Sequence, residues 1–121
     1  MKIRKLPYEL TVCKVADVSA IPADAEFFFV GRTDEEISLV CETHKTPEVT
    51  AAREDGWKAF GIVGELDFAL VGILSKIAGI MADNGIGIFA VSTYNTDYVL
   101  VKQESFERAL ECLEKAGYEI Q

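Results

Sequence analysis

The stretch "IFAVSTYNTDYVLV", residues 88–101, decides how the chain is to be read. An apolar run, Ile88-Phe89-Ala90-Val91, stops at Ser92-Thr93-Tyr94-Asn95-Thr96-Asp97, and a second apolar run begins at Tyr98. Aromatic and β-branched residues on both sides of a polar break predict two strands joined by a turn. Asn95 tolerates a left-handed backbone, and Ser, Thr and Asp side chains bond to nearby main chain, so turn chemistry accounts for most of the break. Tyr94 is left over. A bulky aromatic at a hairpin tip packs on a neighbour, lines a pocket or meets a partner.

Upstream, Leu70, Ile73, Leu74, Ile77, Ile80 and Met81 recur at helical spacing and predict a helix over 69–83. Asn84-Gly85 ends it, with Gly85 free to take the left-handed cap. A short strand over 58–63 precedes it, and a strand over 86–91 follows. Downstream of the hairpin strand at 97–102, a second amphipathic helix starts near Glu104 and sets Phe106, Ala109, Leu110 and Leu113 on one face. Gly117 is its C-cap, before a last extended piece at 118–120. The order β-α-β-β-α-β is the split βαβ, or ferredoxin-like, arrangement: an α+β fold in which an antiparallel sheet carries two helices on one face.

The N-terminal half reads as an abbreviated copy. A shift of 61 residues lays Phe28 on Phe89, Val30 on Val91, Leu39 on Leu100, Val40 on Val101 and Gly56 on Gly117. Strands are therefore expected over 10–15, 26–30 and 37–41, and a shortened second helix over 47–55 behind Pro47. The first helix of this copy has no room, and Ile21-Pro22 opposes one. The expected division is residues 1–56 and 57–121, two units of about 60 residues that need a shared sheet or core to be stable.

Composition narrows the function. A formal charge of −8 and a pI near 4.6 oppose phosphate-backbone binding, so no nucleic-acid partner is expected. Lys2, Arg4 and Lys5 form the basic cluster at the start, and Pro7-Tyr8-Glu9 interrupts any signal-peptide reading. No apolar stretch approaches a membrane span, and a cytoplasmic location is expected. Cys13, Cys41 and Cys112 are odd in number and widely spaced, which predicts buried thiols rather than disulfides. His44 has no ligand set at metal spacing, so neither a metal nor a cofactor is expected. An acylphosphatase-like hydrolase on this fold needs an Arg in its phosphate loop, and 64–72 holds no Arg or Lys. With no triad, paired carboxylates or Walker loop elsewhere, the chain is read as no enzyme.

The residues "LDFALVGILSKIAGIMADNGIGIFAVSTYNTDYVLV" (66–101), with "FFFVGRTDEEISLVCE" (27–42) and "GWKAFGIVGELDF" (56–68), resemble an ACT domain. The likeness is to the tandem type found in aspartate-kinase regulatory regions, CASTOR-type arginine sensors and small stand-alone bacterial proteins. It implies two tandem ACT units, the first abbreviated, in a non-catalytic regulatory module that binds a small ligand, an amino acid, at a loop–helix junction. It also implies a homodimer, since such sheets present open edges. The alternative is a protein–protein assembly module without a small-molecule ligand.

Residue by residue, the resemblance points to Asp67, Leu70, Val71, Gly72 and Ile73 on the loop side. On the facing side it points to Ile88, Phe89, Tyr94 and Asn95. Loop 64–72 leads into a helix N-terminus, whose unpaired N–H groups and dipole suit a carboxylate. Plain structural roles compete at each position. Asp67 also fits a simple N-cap, Gly72 also fits close helix–sheet packing, and Ile88 and Phe89 alternate so that one belongs to the core. "ELDFALVG" lacks the proline of the common Asp-x-Pro-Gly loop and places its glycine later. Arg32, beside Asp34, Glu35 and Glu36, is a solvated turn residue or, if the copies face each other, a selector of the ligand's side chain.

Overall fold

Strand formation begins where the composition registers only charge. The computed structural model describes residues 1–63 and 72–121. In it the elements are, in chain order, β1 (Lys2–Lys5), β2 (Leu10–Val15), a 3-10 turn (Val18–Ala20), β3 (Phe28–Arg32), β4 (Ile37–Glu42) and a second 3-10 turn (Thr43–Lys45). There follow β5 (Ala52–Ile62), α1 (Ile73–Asp83), β6 (Phe89–Ser92), β7 (Asp97–Lys102), α2 (Gln103–Lys115) and β8 (Glu119–Ile120). The chain divides into two compact units: Tyr8–Trp57, and Met1–Pro7 together with Lys58–Gln121.

In the second of these, the strands lie in the order β6-β7-β5-β1-β8. The βαββαβ pattern is present, but β1 is inserted between its first and last strands. Ile3 is fully buried, while Lys2, Arg4 and Lys5 stay exposed around it. β1 runs antiparallel to β5, with Ile3 opposite Ile62, and parallel to β8, with Ile3 opposite Ile120. The sheet is therefore mixed, not wholly antiparallel. The basic cluster is a strand whose single inward apolar residue is too short a signal to stand out by alternation.

One face of this sheet packs on both helices. Ile3, Phe60, Ile62, Val99 and Val101 meet Ile77 and Met81 of α1 and Phe106, Ala109, Leu110 and Leu113 of α2. Both helices end as their glycines predict. Gly85 (φ 68) donates to Ala82 O at 3.1 Å and Ile86 to Met81 O at 2.9 Å; Gly117 (φ 101) donates to Glu114 O at 3.0 Å and Tyr118 to Leu113 O at 3.1 Å. Each pair is a Schellman cap. Ile86 is spent on this cap and on the core, which is why β6 starts at Phe89 and not at 86. The predicted helix residues 69–71 lie outside the described residues.

The unit Tyr8–Trp57 has strand order β3-β4-β2-β5, using the first half of β5. Cys13, Val15, Leu39 and Cys41 form a small buried cluster with Ala20 and Ile21 packed on it, and Leu10 and Val40 are buried as well. The helix expected over 47–55 does not form. Residues 52–55 are in β5, where Ala52, Arg53 and Glu54 pair with Lys14, Cys13 and Val12, and Asp55 Oδ1 lies 2.7 Å from the buried Thr11 hydroxyl. Strand pairing overrides a weak helical pattern that contains Val49 and Thr50. The second helix is reduced to the 3-10 turn Thr43–Lys45.

The repeat also needs a corrected register. β3 and β4 end their pairing at Arg32–Ile37, and β6 and β7 at Ser92–Asp97, an offset of 60 and not 61. A slip of one residue exchanges the faces of a strand. Phe29, opposite Val40, is thus the counterpart of Phe89, opposite Leu100; Phe28 corresponds to Ile88. At this offset Thr43 falls on Gln103, so the 3-10 turn begins where α2 begins. Gly56 (φ 84) is no helix end: it sits in β5 beside the register shift between Leu10 and Val12, where a bulge needs a left-handed residue.

Ile3→Ala is expected to lower stability by about 2–5 kcal/mol, because it opens a cavity between two strands and two helices. Lys2→Ala, which removes only an exposed pairing with Glu119, should change it by less than about 0.5 kcal/mol. Urea unfolding of the two variants measures the difference, and equal midpoints would show that β1 is no part of the folded core.

Candidate functional site

A groove runs along the outer side of α1 in the C-terminal unit. Ile73, Lys76 and Ile80, at helical spacing, form one wall, and Gly72 stands at its head. Ala116, Gly117 and Tyr118, the cap of α2, form the other, with Met1 beside them. Its volume is about 560 Å³. Ile73, Ile80 and Tyr118 are half-buried and pack inward on the helix-side core. The Schellman cap at Gly117 carries the chain back past α1, and so forms the second wall.

Gly72 is the N-cap of α1 with φ 82 and ψ 0, in the left-handed region, and no side chain caps the helix there. Its carbonyl accepts from Lys76 N at 2.9 Å. A Cβ at Gly72 would meet nothing within 4 Å, so the glycine answers a backbone requirement and not a crowded neighbour. Gly72 itself has no side chain to offer the first α1 N–H groups, at the end of the helix that favours an anion.

The nine residues nominated from sequence are distributed as follows. Gly72 and Ile73 line the groove. Ile88 packs on the helix-side core with Ile73, whereas Phe89 is turned to the other face opposite Leu100. The alternation expected of the pair holds. Tyr94 and Asn95 are exposed in the turn, Tyr94 by 77%. Asp67, Leu70 and Val71 lie outside the described residues. Ile88, Phe89, Tyr94 and Asn95 are not among the described residues of the groove. Lys76, Ile80, Gly117 and Tyr118 were not nominated; the i, i+4 spacing of Lys76 and Ile80 on the α1 surface was the available signal.

The turn of the opening stretch is closed by Thr93. Its N–H donates to Thr96 O at 2.8 Å and its hydroxyl accepts from Thr96 N at 3.2 Å, while the Ser92 hydroxyl donates to Asp97 Oδ1 at 2.6 Å. Asn95 is not left-handed: among the described residues only glycines take positive φ. Thr96 Oγ1 donates to Ile62 O at 2.9 Å, which fastens the hairpin tip to the end of β5 just before the loop. The matching turn in the first unit uses Thr33 in the same way, accepting from Glu35 N and Glu36 N.

Other reactive groups are quiet. Cys13 and Cys41 are buried, and burial pushes both thiols up, with Cys41 adding to the rise at Cys13 and Glu42 adding to it at Cys41. Thiolates are the nucleophiles, so neither is suited to attack. Among the described residues no group of three or more His, Cys, Asp or Glu could hold a metal, and no helix is long and apolar enough to cross a membrane.

The family model for the ACT domain matches residues 52–115. This chain belongs to the ACT domain family. Its fold is close to that of protein Atu0741 from Agobacterium tumefaciens, with a TM-score of 0.86 and 32% identity over 99% of this chain and 91% of that one. The ACT arrangement is shared with the regulatory subunit of aspartate kinase from Thermus thermophilus, at a TM-score of 0.66 and 12% identity, covering 97% of this chain and 98% of that one. In sequence the chain is 28% identical over 109 residues to the human cytosolic arginine sensor for mTORC1 subunit 1. That match takes in 84% of this ACT chain but spans only 33% of the human protein.

Gly72→Ala is expected to cost about 1–2 kcal/mol of stability through backbone strain alone, and Gly72→Asn less, as measured by thermal unfolding. In native protein, iodoacetamide should label Cys112 well before Cys13 and Cys41, which become reactive on unfolding. Because the folded state holds the Cys13 and Cys41 protons more tightly, stability should fall as pH rises past the ordinary thiol value of about 8.5. A stability that rises between pH 8 and 10 would contradict this.

Proposed function

We propose that this chain is a non-catalytic regulatory module that binds an amino acid at the loop–helix junction of its ACT unit. The observation that carries the reading is the groove at the head of α1, where a left-handed glycine without a side chain is the N-cap of the helix in a chain of the ACT family. Similarity to a protein named as an arginine sensor supports amino-acid sensing as the class of function. In this reading Asp67, Leu70, Val71, Gly72 and Ile73 supply one side of the site. Ile88, Phe89, Tyr94 and Asn95 supply the other, from an adjoining ACT unit in a homodimer. Ligand binding then favours one assembly over another, a population shift without chemistry.

A second reading is favoured by the first unit. Among the described residues β3 pairs only with β4, and it carries Phe28 and Val30, 37% and 39% exposed, on the face where the helices have shrunk to turns. An open edge with apolar side chains suits an assembly module that needs no small ligand.

A thermal-shift screen against the common amino acids at millimolar concentration separates the two. A ligand at about a hundred times its Kd should add on the order of 2.7 kcal/mol, several degrees in a domain of this size, and Asp67→Ala or Tyr94→Ala should abolish the shift. A flat screen, with a dimer by light scattering that dissociates when Phe28→Asp is introduced, would favour the assembly module.

A further inference from the structure

We infer that the outer edge of β3 pairs with the same edge of a second copy of this chain. The pairing is antiparallel about a two-fold axis at Phe29, and sets Arg32 of each copy opposite Glu26 of the other. The inference rests on the assembly reading, and names the partner and the register.

Main-chain direction is the first ground. Thr33 N donates to Glu36 O at 2.9 Å, so these two are a hydrogen-bonded pair at the head of the first hairpin. Such pairs alternate along an antiparallel ladder. Gly31 with Ser38, and Phe29 with Val40, therefore turn their N–H and C=O groups into the hairpin. Phe27 continues the series, its N–H donating inward to Glu42 Oε1 at 2.6 Å. Glu26, Phe28, Val30 and Arg32 alternate with these and direct their main-chain groups the other way. Among the described residues no strand occupies that side.

Side chains are the second ground. The same four residues are exposed and share one face: an acid, two apolar groups, then a base. That order is complementary to its own reverse. With Phe29 on the axis, Phe28 faces Val30 and Arg32 faces Glu26, each of them twice. Apolar and opposite-charge neighbours across strands both favour pairing. Glu26 accepts a long bond, 3.4 Å, from the Tyr8 hydroxyl, which leaves its carboxylate room for the guanidinium.

Other registers forfeit this match. A slip of two residues one way sets Arg32 opposite Phe28 and Asp34 opposite Glu26, like charge on like. The opposite slip sets Val30 against Glu26 and Arg32 against Asp24, which Lys45 already holds at 2.8 Å. Slips of one residue face outward main-chain groups with inward ones. The corresponding edge of β6 offers Ala90 and Ser92 where β3 has Val30 and Arg32, and so carries no such pattern. A contact of a surface with itself closes at two copies.

Sedimentation velocity of the full chain, from about 1 μM to about 1 mM, tests the pairing. The samples are wild type, Arg32→Glu, Glu26→Arg, the two combined in one chain, and an equimolar mixture of the two single variants. Wild type should reach a dimer and nothing larger. Either reversal alone puts like charges opposite one another at two places and should weaken association at least about tenfold, with the far-UV circular dichroism unchanged. The combined variant should regain the dimer. The mixture should form a heterodimer, since one chain then offers two acids to two bases. A dimer indifferent to both reversals, a loss that neither the combined variant nor the mixture restores, or growth beyond two copies would overturn the inference and leave an assembly module standing. A monomer throughout would overturn both.

Discussion

Everything in the C-terminal unit depends on one side chain in a strand of four residues. Ile3 is held between Ile62 of β5 and Ile120 of β8, and lies over the layer where α1 and α2 meet. An ACT unit built from its own six elements would set its first and last strands side by side. Here β1 separates them and satisfies main-chain groups on both: Val63 donates to Lys2 O, Glu119 to Met1 O and Gln121 to Ile3 O. Backbone groups in a buried sheet must be paired, so without β1 the facing edges of β5 and β8 would both be orphaned. Among the described residues the short β8 has no other strand partner. Through the cap at Gly117 it also sets where Tyr118 stands, and hence the width of the groove.

Comparison of the two repeats shows what the shortening did. At the corrected offset of 60 the hairpins agree in turn, pairing and burial, with Ile37–Glu42 matching Asp97–Lys102. The divergence is confined to the helices. In the second unit Ile88 is covered by the helix-side core, while its counterpart Phe28 stands partly in water. The buried cluster on this face of the first unit, Cys13, Val15, Leu39 and Cys41, is correspondingly small. Its stability is supplemented by polar ties, Thr11 with Thr43 and Asp55 and Glu42 accepting from Phe27 N at 2.6 Å, and by ring contacts, Tyr8 stacked on Phe27 and Phe27 edge-on to Phe29.

The second repeat was legible in the sequence because its signals are long and redundant. Helical periodicity, glycine caps and a hairpin with β-branched flanks agree with one another, and β2 and β7 fall where their apolar alternation puts them. The first repeat was misread where signals were short. One buried residue among three cations does not announce a strand, and Pro47 suggests a helix start only if the following residues are free of strand partners, which they are not. A shift of 61 lays Phe28 on Phe89, residues of the same type, yet the turn residues Thr33 and Thr93 hold the true register. Site residues were harder still. A groove wall made of helix-surface positions such as Lys76 and Ile80 has no motif, and its second wall depends on a chain return that spacing does not reveal.

The insertion of β1 has a consequence for the order in which the chain is assembled. β1 is synthesised before its partners: the paired part of β5 follows after a little under half of these residues, and β8 after nearly all of them. Its pairings are among the longest-range contacts in the molecule, and closing such loops is slow because their entropy is lost before any contact is gained. During that interval the hydrophobic Ile3 and Leu6 wait in solvent between lysines and an arginine. Lys2, Arg4 and Lys5 put like charge beside that unpaired strand, and charge of this kind opposes its pairing with copies on neighbouring chains.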